Sequence, residues 1–168
     1  MIAISARGAL ALAFPWARRT THRDMAMVIR EFCSADYAEA LKLWETTEGM
    51  GLSEADSFEG ISRLLERNPG CSFVALDEEV IVGTILCGHD GRRGFIYHLA
   101  VAVNHRRAGL ARRLVGCALE ALRAARIDKC HVLVFRENEL GRAFWAGIGA
   151  EERVRLTQFS LPTKTHAL

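Results

Sequence analysis

The chain has 168 residues, of which half are hydrophobic and a quarter are charged, and its formal net charge is +2. This length suits one domain with a buried core, and the composition predicts a globular, soluble protein. The small net charge excludes a general attraction to nucleic acid or to membrane surfaces. We therefore expect neither as a partner, and we expect any charge effect to be local.

The cysteines argue against a metal centre and against a disulfide framework, because their number is odd and no C-x-x-C pair occurs. We expect reduced, mostly buried thiols, as in a cytoplasmic protein, and no bound metal. The cysteines are Cys33, Cys71, Cys87, Cys117 and Cys130.

Residues 1–26 contain an apolar run, "GALALAF", that is too short to cross a bilayer. Only Arg7 precedes the run and no clear small-residue cleavage site follows it, so a secretory signal is the weaker alternative. We expect a disordered extension, or a start codon placed upstream of a true start at Met25 or Met27. One domain is then expected over residues 27–168.

The chain from Val28 to Arg67 shows a strand pattern followed by two helical ones. Ser34 is expected to cap the first helix, and Ser53 and Asp56 form a capping-box pattern at the start of the second. The predicted ranges are a strand at 28–32, a helix at 35–48 and a helix from 53 to 67.

From Cys71 onward the pattern changes to β-branched and aromatic runs separated by turn signals. Hairpin-type turns predict that the first three strands are antiparallel, and the continuous apolar run "CHVLVF" predicts a central strand. The whole predicts one α/β domain with a mixed, mostly antiparallel sheet, about four helices and the order β-α-α-β-β-β-α-β-α-β. The ranges are strands at 71–76, 80–88 and 94–103, a helix at 109–126, a strand at 130–135, a helix at 139–147 and a strand at 153–161.

The stretch "HRRAGLARRL" at 105–114 gathers four arginines around Gly109, between a predicted strand and a predicted helix. The start of a helix presents unpaired N–H groups and partial positive charge, and a glycine there lets the backbone approach an anion closely. The pattern therefore favours a phosphate site. The alternative is a solvated helix start, although the helix dipole disfavours arginines in the first turn.

The spacing Arg106-x-x-Gly109-x-Ala111, directly after "HLAVAV", resembles the acetyl-CoA signature of the GNAT superfamily of N-acetyltransferases. The segment "ENELGRAFWAGIGA" at 137–150 is similar to the downstream motif of that family. The order of elements from Val28 to about Ser160 also resembles its fold, so the resemblance covers nearly the whole chain except the N-terminal extension.

The resemblance implies that acetyl-CoA is the co-substrate and that the fourth strand carries a bulge. Backbone groups near Leu99 would then bind the pantetheine arm, and those of the arginine loop would bind the diphosphate. Asn138 would bond the cofactor arm or simply cap the next helix, and Trp145 would pack on the arm or in the core. The implied cofactor-binding residues are Leu99, Ala100, Val101, Arg106, Arg107, Ala108, Gly109, Leu110, Ala111, Arg112, Asn138 and Trp145.

The catalytic positions depart from the family pattern, because Phe95, Leu133 and Trp145 stand where members often have Glu, Glu and Tyr. Tyr97 and His98 remain as the candidate catalytic residues, with His89 and Asp90 as further candidates for the base and a water chain as another alternative. Imidazole titrates near pH 6.5, which suits a base. Strand alternation places Tyr97 and His98 on opposite faces unless the bulge intervenes.

Residues 45–59 contain five acidic residues and no lysine or arginine. In the family this connection borders the acceptor site, so Glu48 and Glu54 are candidate ligands for a cationic amine, unless these acids merely face water. The function implied is transfer of an acetyl group to a primary amine of a small molecule or peptide by a monomer or homodimer. The alternative is a non-catalytic module that binds acyl-CoA.

Overall fold

The computed structural model describes residues 27–163. The expectation for residues 1–26 lies outside the described residues. Short 3₁₀ turns occur at Ser34–Asp36, Glu54–Asp56 and Val103–His105. The strands and helices are β1 (Met27–Glu31), α1 (Tyr37–Glu45), α2 (Phe58–Arg67), β2 (Phe73–Asp77), β3 (Val80–His89), β4 (Gly94–Val101), α3 (Leu110–Ala124), β5 (Cys130–Val132) and α4 (Glu139–Gly147).

The sheet has the order β1-β2-β3-β4-β5, so each strand pairs with its neighbours in sequence. The first three pairings are antiparallel, and β4 and β5 are parallel. This parallel pairing is short, because only Gly94–Ile96 of β4 contacts Cys130–Val132 of β5. The predicted mixed, mostly antiparallel sheet is confirmed.

The core lies in two clusters, one on each face of the sheet. On one face, α3 buries Leu110, Leu114 and Leu122 against β3 and β4, as its apolar stripe predicts. On the other face, α1 and α2 bury Trp44 and Ile61 over the same strands. Within residues 27–163, no helix combines the length and the apolar character that crossing a bilayer requires.

Two predictions about the last strands are wrong. Residues 153–161 do not form a strand, because a backbone bond from Leu156 N to Arg153 O (3.0 Å) closes a turn there and the segment has no place in the sheet. β5 lies at the edge of the sheet and not at its centre. The continuous apolar run therefore does not mark a central strand. Its residues Leu133 and Phe135, just beyond β5, are 60% and 57% exposed.

The predicted cap of the first helix is also corrected, because Asp36 and not Ser34 holds this helix start. The Cys33 N–H donates to Asp36 Oδ2 at 2.9 Å, and the Arg30 guanidinium binds both carboxylate oxygens at 2.7 Å. These hydrogen bonds, from Arg30 first and Cys33 second, hold the pKa of the Asp36 carboxyl below its usual range, against the opposing effect of its burial.

We expect Asp36→Asn to lower the free energy of unfolding at pH 7 by about 1–3 kcal/mol, because Arg30 loses its charged partner. A carboxyl whose pKa is lowered by folding stabilises the protein above its unfolded pKa, and this contribution is lost as pH falls through the folded pKa. The difference between Asp36→Asn and wild type should therefore shrink below about pH 4. Urea unfolding at pH 7 and pH 3 measures it, with the exposed Asp128→Asn as a control that changes stability little. A pH-independent difference would contradict the assignment.

Candidate active site

A β-bulge interrupts β4 at His98 and Leu99. These two residues lie opposite the single residue Ile85, because Tyr97 pairs with Leu86 while Ala100 pairs with Thr84. His98 takes the left-handed conformation with φ 44°. Its carbonyl accepts a bond from Thr84 Oγ1 (3.0 Å), which in turn accepts from Trp44 Nε1 (2.8 Å). The helix α1 therefore holds the bulge in place through two consecutive hydrogen bonds, of which the first is buried and the second partly buried.

The bulge places the side chains of Tyr97 and His98 on the same face of the sheet. Tyr97 stacks on Phe95, which precedes it by two residues, while Ile96 between them belongs to the cluster under α3. The ring of His98 contacts Trp44, in the cluster under α1 and α2, with centroids 4.7 Å apart. The extra residue thus overrides the strict alternation expected from the sequence.

The β4 edge that faces β5 has no strand partner beyond Ile96 in the part of the chain described. The side chains of Leu99, Ala100 and Val101 pack into the core, so they leave only backbone groups for a ligand at this edge. The Val101 carbonyl accepts a bond from Arg106 Nε at 2.9 Å, which joins this edge to the arginine loop. The pairing of β4 with β5 thus ends before the bulge, and the backbone groups on this side of β4 have no strand partner within residues 27–163.

The start of α3 lacks a side-chain cap and has no acidic residue in its first turn. By contrast, Ser57 caps α2 and Asn138 caps α4. Gly109, at the N-cap of α3, has φ 84°, and a Cβ built on it would meet no atom within 4 Å. The space beside Gly109 is therefore open, and no side chain caps the N–H groups of this turn, as an anion site requires.

The arginine loop carries positive charge that the described residues do not neutralise. Arg106, Arg107 and Arg112 are exposed, and none of them forms an ion pair within residues 27–163. Arg113 instead reaches the Met27 carbonyl at 3.4 Å, away from the loop. The loop can therefore supply charge-assisted hydrogen bonds to a diphosphate.

The connection between α1 and the turn at Glu54–Asp56 packs against the segment between β5 and α4. A Cβ at Gly49 would lie 2.5 Å from Asn138 Nδ2, and one at Gly51 would lie 2.7 Å from Phe135 Cζ. A side chain at Gly49 would therefore displace Asn138, and one at Gly51 would require the Phe135 ring to shift. Asn138 Oδ1 accepts from Gly141 N at 2.8 Å, so the capping role considered for Asn138 is observed.

Asp56 differs from the other acids of this connection, because its side chain is largely buried and fully engaged. Its Oδ2 accepts bonds from Ser53 N (2.7 Å) and Ser53 Oγ (3.1 Å), which confirms the capping box. The box closes the turn at Glu54–Asp56 and does not start the second helix as predicted, because α2 begins at Phe58 with Ser57 as its cap. Its Oδ1 lies 2.8 Å from His98 Nε2. Sequence reasoning missed this second contact, which joins two residues far apart in the chain. Glu48 and Glu54 are exposed.

Tyr97 is 40% exposed, and partial burial raises the pKa of its phenol, with a smaller effect from the thiols of Cys87 and Cys130. The phenol therefore stays protonated at neutral pH and can donate a proton. Trp145 is half-buried against the cluster under α3, with its ring edge-on to Phe144 at 5.3 Å. Within residues 27–163, no group of three or more His, Cys, Asp or Glu residues is arranged to hold a metal ion.

The profile of the Acetyltransferase (GNAT) family matches residues 36–150, which is more than half of the chain. The chain belongs to the GNAT acetyltransferase family. An acetyltransferase of Yersinia enterocolitica is 31% identical to this GNAT protein over 113 residues, which cover 67% of this chain and 79% of that protein.

Solved structures of GNAT enzymes share its fold. AAC(6')-Iy, in complex with the bisubstrate analogue CoA-S-monomethyl-acetylneamine, is 17% identical with a TM-score of 0.66, over 81% of this chain and 98% of that one. The NatC complex bound to Gag peptide and CoA is 22% identical with a TM-score of 0.63, over 74% and 84%. These likenesses show the fold of the GNAT protein, and its family makes it an N-acetyltransferase.

Proposed function

We propose that the protein transfers an acetyl group from acetyl-CoA to a primary amine by direct attack of the amine on the thioester. The observation that supports this most strongly is the open backbone edge of β4 beside the uncapped start of α3. The backbone edge of β4 suits an extended arm that contains amide groups, and the start of α3 suits a diphosphate. Acetyl-CoA contains both of these groups in one molecule. The bisubstrate complex of AAC(6')-Iy supports the choice of co-substrate.

The cofactor would be held mostly by backbone groups. The peptide groups of Leu99, Ala100 and Val101 would bind the arm. The diphosphate would be bound by the arginine loop, at Arg106, Arg107, Ala108, Gly109, Leu110, Ala111 and Arg112. Asn138 lies where the segment between β5 and α4 meets the Gly49 loop, so its Nδ2 can serve the arm while its Oδ1 caps α4. Trp145 contributes through its packing under α3.

The bound thioester supplies an activated acetyl group, and the protein must position it and move protons. Backbone N–H groups at the bulge would stabilise charge that develops on the carbonyl oxygen. His98 would accept a proton from the acceptor ammonium group, and Tyr97 would donate a proton to the departing thiolate. The nitrogen lone pair would then form the C–N bond as the C–S bond breaks and leaves its electrons on sulfur. The nitrogen is positively charged at that point and would lose its second proton to water as the amide forms, and Tyr97 would regain a proton from water.

The acceptor would be a cationic small molecule or peptide that approaches over the acidic connection. Charge reversal by Glu48→Lys together with Glu54→Lys should raise acceptor KM about tenfold, which corresponds to about 1.4 kcal/mol, while the affinity for coenzyme A stays unchanged. Steady-state kinetics with a cationic amine measures this, and Glu66→Lys on the exposed face of α2 is the matched control. An unchanged KM in the double variant would remove these residues from the acceptor site.

Thiol release with acetyl-CoA and a panel of primary amines tests the proposed function. We expect release of coenzyme A in equal amount to the acetylated amine, above the rate without amine. Binding of coenzyme A with no turnover on any amine would favour a non-catalytic acyl-CoA-binding module instead. The proposal also includes a cytoplasmic location, which the free cysteines support, and a monomer or homodimer.

A further inference from the structure

We propose that Asp56 is a positioning residue that keeps His98 protonated at Nε2, so that Nδ1 is the nitrogen that accepts the proton of the acceptor amine. The inference rests on the proposed function and deepens it, because it adds a residue outside the cofactor motifs. It also means that the acidic connection, through Asp56, acts on His98, the proposed proton acceptor.

The hydrogen bond itself selects the tautomer. A carboxylate only accepts hydrogen bonds, so a neutral imidazole that contacts Asp56 Oδ1 through Nε2, at 2.8 Å, must carry its proton on that nitrogen. Within residues 27–163, Nδ1 of His98 has no hydrogen-bond partner. In the same region, the side-chain nitrogen or oxygen that is buried and has no hydrogen-bond partner is Nδ1 of His105. Nδ1 of His98 also has no partner but is not buried in this way, so it is accessible to solvent.

Asp56 is itself held in one orientation. Its second oxygen accepts both bonds from Ser53, and its carbonyl accepts from the Tyr37 hydroxyl at 3.0 Å. The side chains of His98 and Asp56 are 11% and 16% exposed, so the pair is largely withdrawn from water. The edge-on contact between His98 and Trp44 restrains the ring from the other side. Such a fixed pair orients the imidazole better than an exposed ion pair would.

The backbone of His98 is consistent with a functional constraint. A left-handed conformation is uncommon for a residue other than glycine and costs free energy that the surroundings must offset. The Thr84 bond to its carbonyl and the Asp56 bond to its ring both do so. His98 is thus held in the bulge, beyond the last residue of β4 that pairs with β5, with its ring against Trp44.

The proton step follows from this arrangement. An N–H bond of the acceptor ammonium breaks, its proton moves to Nδ1, and the electron pair stays on the nitrogen that attacks the thioester. The imidazolium that forms keeps its Nε2–H bond to Asp56, whose negative charge stabilises it. The ring then releases the proton to water and is ready for the next turnover.

The ring tautomer is the direct test, because it needs no turnover. Nitrogen NMR of the histidine side chains, with the His98 signals assigned by their loss in His98→Asn, should show neutral His98 protonated at Nε2. In Asp56→Asn the amide can donate to Nε2, so the proton should move toward Nδ1. A wild-type ring protonated at Nδ1, or a tautomer unchanged in Asp56→Asn, would overturn the proposal.

A double-mutant cycle adds the kinetic test. Asp56→Asn should lower kcat/KM about 100-fold with the affinity for coenzyme A unchanged, and it should cause no further loss in the His98→Asn background. Glu66→Gln removes a carboxylate from an exposed face of α2 and is the control. Additive losses would show that Asp56 does not act through His98. A wild-type protein that acetylates no amine would instead overturn the proposed function.

Discussion

Gly109→Glu should lower the affinity for acetyl-CoA at least about 100-fold, or about 2.8 kcal/mol. The new carboxylate would project into the open space at the start of α3, where it would occupy the free N–H groups and repel a diphosphate. The added side chain has room, because no atom lies within 4 Å of its Cβ, although φ 84° strains the backbone of any residue other than glycine. Calorimetric titration with acetyl-CoA measures the loss.

Two variants separate charge from backbone strain in this prediction. Gly91→Glu introduces the same side chain at φ 88°, also with open space around it, in the turn at the opposite end of β4. It should bind acetyl-CoA like the wild type. Gly109→Asn keeps the site uncharged and tolerates φ 84° better than most residues, so it should lose less affinity than Gly109→Glu. Equal affinities for wild type and Gly109→Glu would remove the diphosphate from this loop.

His98→Asn should lower kcat/KM by about 10²–10⁴-fold, because it removes the proposed proton acceptor. Asparagine tolerates the left-handed backbone of the bulge, so the geometry of β4 should be retained. Steady-state rates from pH 6 to 9 measure the effect. An unchanged kcat/KM in His98→Asn would remove His98 from the proton step.

A comparison with His89→Asn decides between the two histidines considered from the sequence. His89 lies at the end of β3, and its Nδ1 accepts a bond from Gly91 N at 3.2 Å, which gives it a role in the turn. The large loss of kcat/KM should therefore occur in His98→Asn and not in His89→Asn. A greater loss in His89→Asn, with coenzyme A still bound by both variants, would contradict the assignment.

The sequence predicts those parts of the fold that local chemistry decides. The last helix occupies residues 139–147 as expected, because Asn138 caps it and Gly149, with φ 91°, follows it. Strands with clear turn signals, such as β3, also lie within a residue or two of their predicted ranges. The uncapped helix start at Gly109 follows the pattern of the sequence, because its glycine, its arginines and the helix start are adjacent in the chain. The phosphate site there stays a prediction.

The other parts of the fold and of the candidate site depend on contacts between residues far apart in the chain, which no local sequence pattern reveals. Alternation at 153–161 indicates which side chains share a face, but a strand also needs a neighbour to bond with, and here the chain turns instead. The hydrogen bond between His98 and Asp56 joins segments that are distant in the chain. The sequence indicates only that Asp56 is held by the capping box with Ser53. The placement of Tyr97 and His98 on one face required the observed bulge.

The central claim is that the start of α3 holds the diphosphate of the cofactor while the β4 edge holds its arm. Calorimetry of the wild-type protein with coenzyme A and with pantetheine tests it most directly. Two charge-assisted hydrogen bonds are enough for a factor of about 100, so coenzyme A should bind one per chain and at least about 100 times more tightly than pantetheine. No detectable binding of coenzyme A, or equal affinity for pantetheine, would contradict the account.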